Sequence, residues 1–479
     1  MQGHDALAIP NAPPATVAAP AAGSYDAARA ALLLARMERT PFSPWHTRAR
    51  IVMGSATFLD AFDALSLAFV LPILVRLWQL SPVEVGWLIA ASYIGQLLGA
   101  LVFSRLAEMY GRVPSAAAAT AIMSVMSLGC ALVGNFPLLF VCRLVQGIGV
   151  GGEMPVAAAY ISELSRSKGR GRFFMLYEMI FPVGLMATGQ IGTVLVPLLG
   201  WKILFLLGGI PGLILTVLLL RLPESPRWLV AQGRLDDAEA IIRDVEASAR
   251  RKHGELPEVE LRREPPQAAA VLRPAQSRWR ELLSPLYRMR TLIAWVLWAS
   301  AFFVANGLNN WMPTLYHTVY ALDLPDALRA ASLTNIAQVA ILLACAFCID
   351  RVGRRTWAVA SFLIGAVLLA ALAWAGSSSL VAVIVLATLA YGIVGSVNAV
   401  LYLYTPEIYP TRMRAIGTGL ATSWLRLASA VGPALVGLMV SRQGVASVFL
   451  MFAVVAALGA LAASRMIETR DRELEDIAS

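Results

Sequence analysis

A chain of 479 residues that is 58% hydrophobic and only 14% charged is excluded from the ordinary soluble class, where about 25% of residues are charged. Its formal charge of +9 does not point to nucleic acid, because the basic residues gather in particular short loops, the pattern of cytoplasmic loops in membrane proteins. The four cysteines, Cys130, Cys142, Cys345 and Cys348, all sit in apolar runs, with neither disulfide nor zinc spacing. No nucleophile–base set is visible, so no catalytic residue, metal or cofactor is expected.

In chain order, residues 1–48 read as an N-terminal tail: Met1–Ser24 is Ala/Pro-rich and disordered, without a signal peptide, and Tyr25–Glu38 suits a short helix on the membrane surface. Six apolar spans follow within 49–221: about Ala49–Trp78, Val83–Leu106, Pro114–Gly134, Phe136–Leu164, Phe173–Leu199 and Trp201–Leu220. Residues 222–290 form a long polar stretch in which Leu235–Val245 is amphipathic and Glu255–Gln276 is extended or loose. Six more spans occupy 291–466: about Thr291–Ala321, Asp326–Ile349, Trp357–Gly376, Leu380–Tyr404, Met413–Ser441 and Val445–Met466. Residues 467–479 are a charged tail. This is an all-α membrane protein with twelve transmembrane helices in two six-helix halves.

Arg105, Arg112, Arg166, Lys168, Arg170, Arg172, Arg351, Arg354, Arg355, Arg412 and Arg414 fall on one side of that plan, with both termini, so that side is expected to be cytoplasmic. The halves repeat. SRLAEMYGR follows the second span and DRVGRR the eighth; Glu163 closes the fourth span and Glu407 the tenth, each before basic residues. Parallel six-helix repeats hold substrate between them near the midplane.

Ionisable residues inside spans are costly and point to function. In TFLDAFDALSLAFVL, Asp60 and Asp63 share a helical face, Asp60 about 15 Å in from the charged flank at Arg50. They suit a proton or cation relay, or else a paired structural acid. Arg143 in the fourth span stays charged even when buried and is the partner expected for Asp63. Glu153, deeper in the same span, suits the proton path; Glu178 is nearer the interface. Arg426 in the eleventh span lies roughly 18 Å beyond Arg414 with no acid near it in sequence, which suits a bidentate grip on a carboxylate; pairing with Asp60 or Glu153 is the alternative. Asn306 and Asn310 share a face of the seventh span, with Asn309 beside them as a further amide and Trp311 as a stacking surface. Tyr93, Gln96, Tyr177, Asn398, Tyr402 and Trp424 are further lining candidates, or helix–helix contacts. His317 reads as an exposed rim residue.

Several of these motifs resemble the major facilitator superfamily. Asp350-Arg351-Val352-Gly353-Arg354-Arg355 looks like its cytoplasmic loop signature. The first-half copy keeps Gly111 and Arg112 but has Ser104, Glu108, Met109 and Val113 at departing positions. RLVQGIGVG (Arg143–Gly151) and PESPRWL (Pro223–Leu229) resemble the sugar-porter signatures. The seventh span, FFVANGLNNWMPTLY, lacks the glutamine pair of sugar porters. With TPFSPWH and DAFD, it resembles the bacterial niacin (nicotinate) transporters and their organic-anion and synaptic-vesicle relatives. The resemblance implies that Asp63 and Arg143 gate proton uptake. It also implies that Arg112 with Glu163, and Arg354 with Glu407 beside Asp350, are cytoplasmic latches holding the halves together when the outer side is open. The expected function is proton-coupled import of a small aromatic monocarboxylate, nicotinate or similar, by a monomer in the bacterial inner membrane. Its partners are that substrate, protons and the bilayer. Another aromatic-acid symporter, an exporter, and a sugar, organic-ion or drug transporter stay open, as does a receptor built on a transporter fold.

Overall fold

The computed structural model of the chain describes residues 22–164, 179–259, 279–375, 379–409 and 411–469. Among these, every regular element is helical, as expected where lipid offers no partner to a bare backbone. Twelve helices are long and apolar enough to cross a membrane. In order they are Pro44–Trp78, Pro82–Tyr110, Arg112–Leu132, Phe136–Leu164, Ile180–Leu199, Lys202–Leu219, Arg288–Thr318, Leu324–Val352, Arg354–Ala375, Leu380–Glu407, Thr411–Gln443 and Val445–Ala463. The first begins at Pro44, earlier than the apolar run alone suggests, because Ser43 and Pro44 supply a start: an N-cap position followed by proline in the first turn.

The packing is itself duplicated. The first span packs on the fourth, fifth and sixth, the second on the fourth, and the third on the fourth and sixth; each pair recurs six spans later. Between halves, the second span meets the eleventh, the fifth meets the eighth, and the first meets the seventh. Moving six spans along exchanges the first two pairs and returns the third to itself, which is what a two-fold axis between the halves requires.

Small residues let the helices close on one another. A Cβ on Gly95 or Gly99 of the second span would meet the carbonyl oxygen of Leu144 or Ile148. One on Gly147 or Gly151 of the fourth would meet that of Ser92 or Gln96. This contact fixes Tyr93 and Gln96 against the helix that carries Arg143 and Glu153. The halves approach most closely at the end away from the basic loops. A Cβ on Gly86 would lie 2.6 Å from the Pro433 carbonyl oxygen, one on Gly437 would meet that of Pro82, and Thr193 donates to the Leu328 carbonyl at 3.2 Å.

At the basic end, three helices form a small cap on the first half. The N-terminal helix Ala22–Arg39 does not present its apolar face to the membrane, as its sequence suggested. Leu33 and Met37 pack with Trp228, Leu229 and Val230 of helix Pro226–Ala231 and with Leu235, Ala238 and Ile242 of helix Leu235–His253. Charges fix the register: Glu246 takes Arg36 at 2.8 Å and Arg39 at 2.9 Å, and Arg29 reaches Asp236 and Glu239. Trp228 donates to the Glu108 carbonyl, and Arg227 to that of Glu163.

Burial opposes the ionised form of Glu246, but the two arginines outweigh it and hold the carboxyl below its ordinary value of 4.5. A depressed carboxyl supports the fold above its unfolded value and loses that support as pH falls through the folded one. The protection factors of the Leu33 and Met37 amides, corrected for the intrinsic pH dependence of exchange, are therefore expected to hold from pH 7 to about 5 and to fall as pH drops through the depressed carboxyl value. Glu246→Gln should give the fast exchange already at pH 7. Protection that is the same in both proteins would show that the apolar contact alone holds the helix.

Candidate functional site between the halves

The pair read from sequence is formed. Arg143 Nη1 meets Asp63 Oδ2 at 3.0 Å, and the two side chains are 2% and 3% exposed. Sequence reading missed the groups that complete it. Gln146, one turn beyond Arg143, donates to Asp63 Oδ1 at 2.5 Å and accepts from Arg143 at 2.7 Å. Ser127 of the third span donates within reach of Asp63 Oδ1 at 3.2 Å and of the Phe205 carbonyl at 2.9 Å. Four helices of the first half thus converge on one carboxylate. The signal available was spacing, since Gln146 follows Arg143 by three residues and shares its face.

Asp60 lies one turn away, is 2% exposed, and its Oδ1 has no hydrogen-bond partner among the described residues. It is within electrostatic range of Glu153, Asp63 and Arg426. Glu153, fully buried, accepts from Thr57 of the first span at 3.1 Å. Of these three acids, Asp60 is the one within electrostatic range of Arg426, a cation that belongs to the other half. Arg426 is half-buried. Among the described residues it makes a single long hydrogen bond, 3.5 Å to the Thr422 carbonyl, and no ion pair. Tyr402 lies within electrostatic range of its guanidinium. A guanidinium presented to space, with an acid near but not in contact, can accept a carboxylate without first breaking a salt bridge.

The seventh-span asparagines behave differently from expectation. Asn306 donates to Ser429 of the eleventh span at 2.6 Å, and Asn310 donates to Tyr93 across the halves at 3.0 Å and to the Asn306 carbonyl at 2.8 Å. Each amide is thus engaged in joining helices, with one N–H of Asn306 and one of Asn310 crossing to another span. Asn309 is buried too. Trp311 is 2% exposed and enclosed in the apolar core, so it is no open stacking surface. Trp424 lies two residues, and so roughly 200° of helix, from Arg426; it stacks on Trp295 with centroids 5.4 Å apart. Tyr402 meets Trp298 edge-on at 4.7 Å. Asn398, one turn away on the same face, is half-buried and leaves its Oδ1 without a partner. Gln96 lends its backbone to the contact with Gly151. His317, expected on the rim, is 5% exposed and bonds the Leu322 carbonyl at 2.7 Å. Tyr177, Glu178 and the Asp350 side chain lie outside the described residues.

At the basic end, Arg112 pairs with Glu163 at 2.9 Å and Arg354 with Glu407 at 3.4 Å. Each pair lies within one half in this arrangement, where the halves meet at the far end; the expected latch belongs to the opposite arrangement. A second acid in each half was not foreseen. Glu224, after the sixth span, accepts from the backbone N–H groups of Arg112 and Val113 at 3.0 and 3.1 Å. Glu468, after the twelfth, accepts from those of Arg354 and Arg355 at 2.9 and 3.0 Å. Each thus caps the start of the third helix of its half. Gly111 and Gly353, at φ 112° and 91°, let the backbone turn there, where a side chain would strike the capping carboxylate. Burial raises the Glu224 carboxyl above its ordinary value, although three backbone N–H groups favour its ionised form.

Comparison with known proteins extends this geometry. Residues 30–479 match the family described as "Sugar (and other) transporter". The niacin transporter NiaP of Acinetobacter baylyi is 30% identical over 449 residues, 93% of this chain and 99% of its own. The 4-hydroxybenzoate transporter PcaK of Pseudomonas aeruginosa is 30% identical over 314 residues, 65% of this chain and 68% of its own. Among solved structures, the partially occluded, inward-open xylose transporter XylE of E. coli superposes with a TM-score of 0.71 at 18% identity, over 90% of this chain and 100% of that one.

Proposed function

The chain belongs to the sugar (and other) transporter family of the major facilitator superfamily, and from that membership we propose that it imports nicotinate or a close aromatic monocarboxylate together with protons. The observation that carries this reading is Arg426. It is a half-buried guanidinium deep in the eleventh span, with one weak bond and no ion pair among the described residues. A sugar carrier has no use for such a group, and an organic-cation carrier would be impeded by it. The similarity to a niacin transporter over nearly the full length of both chains supports the same substrate class.

In this reading the substrate carboxylate docks on Arg426 and draws its charge away from Asp60. Asp60 and Glu153, buried on two helices of the first half, are then the first proton station. Asp63, held by Arg143 and Gln146, is the second proton station and reports occupancy to the helices of the first half. The basic loops face the cytoplasm, so the halves are closed on the outer side. The Arg–Glu pairs and the glutamate caps hold the helix ends of each half rigid, so that the halves rock as bodies. The carrier works as a monomer in the bacterial inner membrane.

The test is a thermal-shift panel on the purified protein with nicotinate, nicotinamide, benzoate, 4-hydroxybenzoate, xylose and a quaternary ammonium ion. A ligand at a hundred times its Kd stabilises the native state by about 2.7 kcal/mol. The aromatic carboxylates are expected to shift the transition and xylose and the cation are not. A shift with xylose or the cation alone would overturn the substrate assignment.

A further inference from the structure

Building on the reading of Arg426 as the carboxylate site, we infer that Asn335 of the eighth span is the donor that reads the ring nitrogen of the substrate. Asn310 already commits both N–H groups, to Tyr93 and the Asn306 carbonyl, and Asn306 commits one to Ser429. Asn335 is 1% exposed, yet neither its Nδ2 nor its Oδ1 has a partner among the described residues. Buried amides in folded proteins are satisfied almost without exception, so one left open on both atoms calls for a ligand or a water.

The helix itself shows where that amide points. Ser332 lies against Gly189 of the fifth span. On the other side, Thr334 meets Thr388, and Gln338 accepts from Tyr391 at 2.8 Å, both in the tenth span. Leu333 and Ile336, 51% and 41% exposed, mark the outward face. At 100° per residue, Asn335 falls between the fifth-span and tenth-span sides, away from that face. It therefore looks into the interior between the halves.

The two-fold relation gives an independent placement. The register that sets Arg112 on Arg354 also sets Tyr93 on Asn335 and Gln96 on Gln338. Tyr93 reaches the seam, where it bonds Asn310 of the opposite half. Asn335 is its mate at equal depth on the other side of the axis. Gly437 of the eleventh span lies against Pro82, the two-fold mate of Leu324, so Arg426 and Asn335, each eleven residues from that level, both lie roughly 17 Å deep. A pyridine nitrogen accepts one hydrogen bond, and either N–H of an amide Nδ2 can supply it. Benzoate offers no acceptor there and would leave the amide unsatisfied.

The experiment is calorimetric titration of nicotinate and benzoate into the full-length protein and into Asn335→Leu and Asn335→Ser, with thermal melting of each ligand-free protein. The unmutated protein should prefer nicotinate. Asn335→Leu should weaken nicotinate by roughly two- to tenfold, the worth of one neutral hydrogen bond. It should leave benzoate unchanged or tighter, so that the preference disappears, and Asn335→Ser should restore part of it. Because the amide makes no bond of its own, the ligand-free leucine variant should melt no lower than the unmutated protein. An unaltered nicotinate-to-benzoate ratio in the variants would overturn the inference, and a lowered melting point with that ratio intact would identify a structural, water-satisfied amide. If Asn335→Leu does not fold, the serine variant carries the comparison. Failure of both carboxylates to bind the unmutated protein would instead overturn the reading of Arg426, and is seen before any variant is made.

Discussion

Arg426→Ala is expected to weaken nicotinate by about ten- to a hundredfold, because a charge-assisted hydrogen bond in a desolvated site is worth roughly 1.5–3 kcal/mol. Neutral nicotinamide should change by no more than about twofold, since it offers no charge for the guanidinium to complement. The asymmetry is the informative quantity. Among the described residues Arg426 makes one long bond and no ion pair, so its removal breaks little inside the protein. The acid that senses it, Asp60, is already buried and without a partner at one oxygen. Arg426→Lys keeps the charge but loses the planar fork, so it should fall between the wild-type protein and the alanine variant. Titration of both compounds into the three proteins decides the matter. Equal losses for acid and amide would make Arg426 structural and remove the main support for a carboxylate substrate.

Asp63→Asn is expected to abolish accumulation driven by a pH gradient while exchange of labelled for unlabelled substrate at equal pH continues. With one proton per substrate, a gradient of one unit can concentrate substrate at most about tenfold; the variant should reach only the outside concentration. Asparagine keeps the shape of the network, since its amide can still accept from Gln146 and Ser127. What it loses is the ability to change charge beside Arg143, 3.0 Å away. Leaving a buried guanidinium unpaired costs about 3–5 kcal/mol, so the single variant should also melt at lower temperature. Asp63→Asn combined with Arg143→Gln should recover part of that stability without recovering coupled uptake. Coupled uptake that survives in Asp63→Asn would move the proton to Asp60 and Glu153, and Glu153→Gln would then be the variant that uncouples.

The sequence by itself determined the membrane class, the twelve spans, their duplication and the pairing of Asp63 with Arg143. These are properties of composition and period: long apolar runs must be helices in lipid, and a charge inside one must find another. It also singled out Arg426 as a deep cation with no acid near it in sequence. Only the tertiary structure decided which polar groups are free and which are already engaged. Asn306, Asn309 and Asn310 look alike as a string, but Asn306 and Asn310 are bound to Ser429 and Tyr93 because the seventh span packs on the eleventh and lies at the seam. Trp311 and Trp424 look like stacking surfaces until the fold encloses one in the core and sets the other on Trp295. Conversely, Asn335 and Glu468 drew no attention in sequence. The first gains meaning from the two-fold axis that sets it opposite Tyr93. The second gains it from a chain end that returns to cap a helix more than a hundred residues earlier. Hydrogen-bond satisfaction is a relation between helices, and no spacing along a single chain encodes which helices meet.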